Sequence, residues 1–241
     1  MSIDINKVKG IIFDYGGTLD TGGDHWSEVI WQAYVNAGVD VDKAEFREAY
    51  VYGERELARV RHILPEHDFH DLLLIKMKIE LQWLSEHGLF APAEIEAKAA
   101  ELARICYEAA RAKVEEAKPV LERLSQKYPM VLVSNFYGTV ATVLKDFGID
   151  GYFRQIIESA VIGVRKPDPR IFEHGVKALG LNPEETLVIG DSYRKDIVPA
   201  ESIGCQAVWI KGKGWTEDED RQTYANIISS LDELLPMLGL A

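Results

Sequence analysis

Gly10-Ile11-Ile12-Phe13-Asp14-Tyr15-Gly16-Gly17-Thr18-Leu19-Asp20 opens on an apolar run and closes on polar turn residues. The run is too short for a helix and reads as a buried strand. It breaks into Gly16-Gly17, so a carboxylate ends the strand on a turn loosened by glycine. A side chain placed there is presented to whatever binds above the sheet. Asp14 therefore stands as a nucleophile, a metal ligand, or both.

Three later stretches add to it, and two of them repeat the arrangement. Leu132-Val133-Ser134-Asn135 is an apolar run ending in a hydroxyl. Arg165-Lys166-Pro167-Asp168-Pro169 holds a cation in a rigid turn. Leu187-Val188-Ile189-Gly190-Asp191 is another apolar run ending in a carboxylate, with Asp196 five residues on. An acid, a hydroxyl, a lysine and an acid pair are the parts needed for phosphoryl transfer through an aspartyl intermediate. The first acid attacks, the hydroxyl and lysine hold phosphoryl oxygens, and the acid pair holds a cation.

These four motifs, in this order, resemble those of the haloacid dehalogenase superfamily of hydrolases. The resemblance covers about residues 8–20 and 118–241. It implies that Asp14 is the nucleophile and that Lys166 balances its charge. It implies Mg2+ bound by Asp14, the Gly16 carbonyl, Asp191 and Asp196, and phosphate contacts from Thr18 and Ser134. Asn135 either binds phosphate or holds its loop. One departure stands out: phosphatases of this family usually carry a second Asp two residues after the nucleophile, as general acid and base. Gly16 occupies that position.

The organisation of the chain agrees. Apolar runs predict strands at Gly10–Phe13, Val131–Ser134, Gln155–Glu158, Leu187–Gly190 and Ala207–Ile210. Helical patterns fall at Leu121–Lys127, Val140–Phe147 and Ile171–Leu179, the last stopped by Gly180 and Pro183. Alternating strands and helices give an α/β, Rossmann-like, doubly wound parallel sheet. Residues 21–116 differ. Asp42 and Glu45 form a capping-box pattern with Val41 and Phe46 as a staple, and Pro92 opens a helix at its first turn. Leu73, Met77, Leu81 and Leu84 recur at helical spacing. The expectation is a catalytic core of residues 1–20 and 117–241 with an α-helical cap, 21–116, inserted after the first strand. Gly22-Gly23 and the return near Pro119 would form its hinge.

Composition narrows the partners. The chain has 241 residues, 47% of them hydrophobic, and a formal charge of −12. An acidic protein with pI near 5.0 is a poor partner for nucleic acid or an anionic membrane. No apolar stretch reaches the length of a membrane span, and residues 1–7 carry no apolar signal-peptide region. Cys106 and Cys205 read as buried reduced thiols. A cytoplasmic enzyme is expected; its oligomeric state is open.

Other polar groups have plainer readings. His62, His67 and His70 with Asp68 and Asp71 are expected to be solvated helix-end residues. Tyr50, Tyr52, Arg55, Arg59 and Arg61 fit an amphipathic helix as well as a substrate-facing one. Trp26 and Trp31 read as core, and Lys211-Gly212-Lys213-Gly214 as a turn. The expected function is a magnesium-dependent phosphatase of small phosphorylated metabolites. The alternatives are a hydrolase of phosphonates or haloacids, or a binding or regulatory protein impaired by Gly16. The phosphonate route needs a Schiff-base lysine in the cap, where Lys43, Lys76 and Lys78 occur.

Overall fold

A computed structural model describes residues 3–240. Its sheet is six-stranded, in the order β3-β2-β1-β4-β5-β6, and every pairing is parallel. The strands are β1 Gly10–Phe13, β2 Met130–Ser134, β3 Gln155–Glu158, β4 Thr186–Gly190, β5 Gln206–Ile210 and β6 Ile227–Ile228. Five were expected. The sixth, only two residues long, is too short to leave a periodic signal.

Alternation within the strands loads both faces of the sheet. Ile11 and Phe13 join Leu132, Leu187 and Ile189 on one side. Ile12 joins Val131, Val133 and Val188 on the other. A strand buried on both faces reads as a continuous apolar run, which is why these were legible. Helices α5 (Val140–Asp146), α6 (Ser159–Ile162), α7 (Arg170–Leu179) and α8 (Val198–Ser202) make the crossovers. Helix α7 contributes Ile171, Phe172, Val176 and Leu179 to the second side. Phe172 is 1% exposed, so Phe172→Ala would cost about 3–5 kcal/mol.

Four helices, numbered by chain order, form the inserted segment: α1 Trp26–Asn36, α2 Lys43–Arg59, α3 Phe69–Glu86 and α4 Ile95–Ser125. The Asp42 capping box forms, with Asp42 accepting from the Ala44 and Glu45 amides. Asp68 and Asp71 form a second box at the start of α3. Pro92 opens a short 3₁₀ turn that leads into α4.

Helix α4 departs from expectation. A break was expected at Pro119, between a cap helix and a core helix at Leu121–Lys127. One 31-residue helix runs through both. Proline removes one donor to the preceding turn, but Ala117, Val120, Leu121 and Leu124 are buried around it. Packing on both sides of Pro119 outweighs the lost bond. The helical segment and the sheet also share one apolar cluster, containing Phe13 and Leu19 with Ile30 and Leu73. Phe69 of α3 meets Tyr15 edge-on, with ring centroids 6.2 Å apart.

Candidate active site

The order β2-β1-β4 puts the first strand at the sheet centre, where the connections turn from one side to the other. Loops diverge there and leave a crevice beyond the carboxyl ends of the strands. Asp14 follows β1 and Asp191 follows β4, and those strands are paired with Phe13 opposite Ile189. Ser134 ends β2, the other neighbour of β1.

Two glycines make the close approach possible. Gly17 has φ +96°, and a Cβ on it would lie 2.4 Å from Asp191 Oδ2. A Cβ on Gly190 would lie 2.4 Å from the Asp196 Cβ. A wide π turn, Tyr193–Ile197, carries Asp196 back under the strand end. The Ser192 amide donates to Asp196 Oδ2 at 3.0 Å.

Asp14, Asp191 and Asp196 thereby each offer an oxygen within 4.8 Å of the others. Lys166 Nζ sits 2.7 Å from Asp14 Oδ1 and 2.6 Å from Asp196 Oδ1. Burial opposes a charged lysine, but the two carboxylates outweigh it and hold Lys166 above its ordinary value. Burial, then the neighbouring carboxylates, raise Asp191 well above the usual range. Asp196 is raised as well, by burial against the pull of Lys166. Two buried carboxylates and the half-buried Asp191 face a single ammonium, so negative charge is in excess. An all-oxygen donor set of this kind fits a hard divalent cation such as Mg2+. Among the described residues no other group of three or more His, Cys, Asp or Glu side chains lies close enough to hold a metal.

The remaining expected residues divide. Ser134 is 1% exposed and its Oγ has no hydrogen-bond partner among the described residues. A buried hydroxyl without a partner suits an oxyanion ligand. Thr18 is fully buried behind the carboxylates, where its hydroxyl donates toward Asp14 at 3.3 Å and Asp191 at 3.2 Å. Asn135 uses both ends of its amide on the backbone of Lys166, at 3.1 and 2.9 Å. It holds the lysine loop, one of the two readings open from the sequence.

A cavity of about 870 Å3 opens above Asp14, Lys166 and Asp191, between the strand ends and helices α1–α3. Its lining includes residues that the sequence reading missed. Trp26, expected in the core, lies in the cavity wall. Its indole N–H donates to Asp20 at 3.1 Å and lies 4.0 Å from where a Cβ on Gly16 would stand. His25 joins it. Its Nδ1 accepts from the Ser27 amide, and burial lowers its pKa to about 4. Trp215 enters from the loop after β5. That loop is the Lys211–Gly214 turn, where Lys211 Nζ and the amides of Gly212, Lys213 and Gly214 all have protein partners. The turn reading stands, and its product is the placement of Trp215.

Helices α2 and α3 supply the ceiling. Tyr50, Glu54, Arg55 and Lys76 line it. Arg59 instead pairs with Glu56, and His62 does likewise. Lys76 is ion-paired with Glu54 and lies 3.3 Å from Glu80. Burial works against its charge, yet these two carboxylates keep it strongly protonated. Tyr137, three residues beyond Ser134, donates to Glu54 at 3.1 Å and ties the core to the cap. Arg47 reaches the Trp215 carbonyl at 2.6 Å from the cap side. No helix of the described residues is long and apolar enough to cross a membrane.

Comparison with known proteins agrees with this arrangement. Glyceraldehyde 3-phosphate phosphatase from Pyrococcus furiosus is 37% identical over 92 residues, 37% of this chain and 38% of that protein. Phosphoserine phosphatase from Thermus thermophilus is 38% identical over 63 residues, 26% of this chain and 25% of that one. The matches thus span well under half the length of these relatives. A HAD phosphatase structure from Thermococcus onnurineus superposes with a TM-score of 0.53 at 24% identity, over 96% of this chain and 98% of that one. It shares the fold. The family model for haloacid dehalogenase-like hydrolases matches residues 8–204, and the chain belongs to that hydrolase family.

Proposed function

We propose that the protein is a magnesium-dependent phosphatase of small phosphorylated metabolites, working through an aspartyl phosphate on Asp14. The observation that carries this is the clustering of Asp14, half-buried Asp191 and Asp196 around Lys166. Phosphatase names among the relatives support the same substrate chemistry.

Asp14 attacks phosphorus, and the bond to the bridging oxygen breaks. Water then attacks the aspartyl phosphate, releasing inorganic phosphate and restoring the carboxylate. Lys166 offsets charge on Asp14 and the phosphoryl oxygens, and Ser134 donates to one of those oxygens. Thr18 and Asn135 hold the carboxylates and the lysine loop in place. Asp14, Asp191, Asp196 and the Gly16 carbonyl would hold Mg2+, which supplies charge neutralisation between nucleophile and phosphate.

Residues 21–116 serve in this reading as a lid over the cavity, closed through the Tyr137–Glu54 and Arg47–Trp215 contacts. The two buried thiols suit a reducing compartment such as the cytoplasm. The other routes have less support. A Schiff base needs a neutral amine, whereas Lys76 is held charged by Glu54 and Glu80, and Lys43 and Lys78 pair with Glu28 and Glu96. A metal-free attack on carbon leaves the three-carboxylate set without a role. Phosphate release from a panel of phosphomonoesters, with magnesium and with excess chelator, tests the reading. Release that persists unchanged in chelator, or no release from any ester, would reject it.

A further inference from the structure

Two independent features bear on what leaves when phosphorus is attacked. The first is the acid supply around the nucleophile turn. Among the described residues beyond its chain neighbours, only Trp26 Nε1 comes within 4 Å of where a Gly16 side chain would begin, and that N–H is already committed to Asp20. The carboxylates beside Asp14 belong to the cation set, and Lys166 is bound to two of them. Asp20 does keep a proton, but it is buried outside the cavity wall and bonded to the Gly17 amide and Trp26, so it does not face a leaving oxygen. Departure without a proton is fast only when the oxygen is stable as an anion, as in a phenolate.

The second feature is the shape and chemistry of the cavity. At about 870 Å3 it is at the scale that accepts drug-sized ligands, far more than a three-carbon ester would fill. On the cap side Tyr50 stands beside Glu54, Arg55 and Lys76, with Lys76 Nζ 4.3 Å over its ring, and an aromatic patch forms where Tyr50 meets Trp215. Tyr50 and Trp215 have centroids 5.5 Å apart at a tilt of 33°, and His25 lies 5.4 Å from Trp215. Both Tyr50 and Trp215 line the cavity, one from the cap and one from the core. A flat ring seated there extends an existing aromatic cluster. Arg47 lies 4.7 Å over the Trp215 ring and fixes its pose.

Resting on the phosphatase reading, we propose that the substrate is an aryl phosphate, its ring bonded directly to the bridging oxygen and seated against Tyr50 and Trp215. Attack by Asp14 breaks the P–O bond; the electron pair leaves on the phenolate, which takes its proton from water. Hydrolysis of the aspartyl phosphate follows as above. Trp215 acts as a specificity residue.

The test compares phenyl phosphate with a fluorinated alkyl phosphate of matched leaving-group acidity, and with acetyl phosphate, all with magnesium. The full-length protein is expected to favour phenyl phosphate over the matched alkyl ester by at least tenfold in kcat/KM. Trp215→Ala should shrink that preference about tenfold, the scale of one aromatic contact, and Trp215→Phe should restore most of it. The Arg47 bond is to the Trp215 backbone, so it survives both substitutions. Equal rates for the matched esters, or a Trp215→Ala loss shared equally by all three substrates, would overturn the proposal. If acetyl phosphate and every ester are inert, the phosphatase reading falls instead. Calorimetry with phenylphosphonate and methylphosphonate then decides the remainder. Tighter binding of the aryl compound, lost in Trp215→Ala, supports the ring seat, and equal binding refutes it.

Discussion

Gly16→Asp inserts a carboxyl group beside the proposed nucleophile, and the structure sets what it should do. Gly16 does not have a left-handed backbone, and the nearest atom to an added Cβ is Trp26 Nε1 at 4.0 Å. The added Cβ therefore meets no clash, and Gly16 lines the cavity into which the carboxyl would extend. Loss of glycine flexibility in the unfolded chain should add about 0.4–1 kcal/mol of stability, offset in part by repulsion from Asp14 and Asp191. That repulsion also raises the new carboxyl's pKa, which suits a proton donor. A positioned general acid is worth roughly 10²–10⁴ in rate, or about 3–5 kcal/mol of barrier. Nearly all of this should appear with alkyl phosphates, whose leaving oxygens need a proton. The assay is the dependence of log kcat/KM on leaving-group pKa for wild type and variant, with chemistry shown to be rate-limiting by burst kinetics. The wild type should give a steep negative slope and the variant a shallower one. A flat wild-type slope would mean that another group already delivers the proton, and the argument from Gly16 would fail.

Asp14→Asn should lower kcat by at least ~10³ while leaving the thermal transition in place, because the amide cannot attack phosphorus; turnover within tenfold of wild type would discard the nucleophile assignment. Asp191→Ala removes one of three clustered carboxylates, so half-maximal activity should require at least tenfold more magnesium, and an unchanged magnesium titration would argue against a cation at this site. Asp20 carries a pH signature. Burial, partly offset by hydrogen bonds from Gly17 and Trp26, lifts its carboxyl to about 8 from an ordinary 3.8. Between those values the folded protein keeps a proton that the unfolded chain releases. The contribution is therefore complete below pH 4 and is lost as pH rises through 8. Asp20→Asn should flatten the fall in Tm over that window, measured in chelator, and identical pH slopes for the two proteins would contradict it.

Local order along the chain was sufficient for the sheet and the chemical core. Ile11-Ile12-Phe13 and Leu187-Val188-Ile189 had to be buried strands, because no other element hides so short a run on both sides. Glycine after each run fits a polar residue held at the strand end. Asp14, Lys166, Asp191 and Asp196 were therefore legible as a set before any distance was known. The capping box at Asp42 was legible for the same reason, since its partners lie three residues apart. Tertiary packing decided the rest. Pro119 reads locally as a helix end, yet residues buried on both sides carry α4 through it. Thr18 and Asn135 are polar residues in the right motifs, but only the fold shows that their hydrogen bonds turn inward, to carboxylates and to the Lys166 backbone. Tyr50 and Arg55 stood on a helix face that could meet substrate, but most of the cavity wall left no pattern. Trp26, Glu54, Lys76, Tyr137 and Trp215 are scattered over nearly two hundred residues, and no spacing rule links them. Periodicity and turn chemistry report how a segment meets its own neighbours. A site built across the gap between two packed units depends on which distant faces meet, and that is settled by the closing of the helical segment over the strand ends.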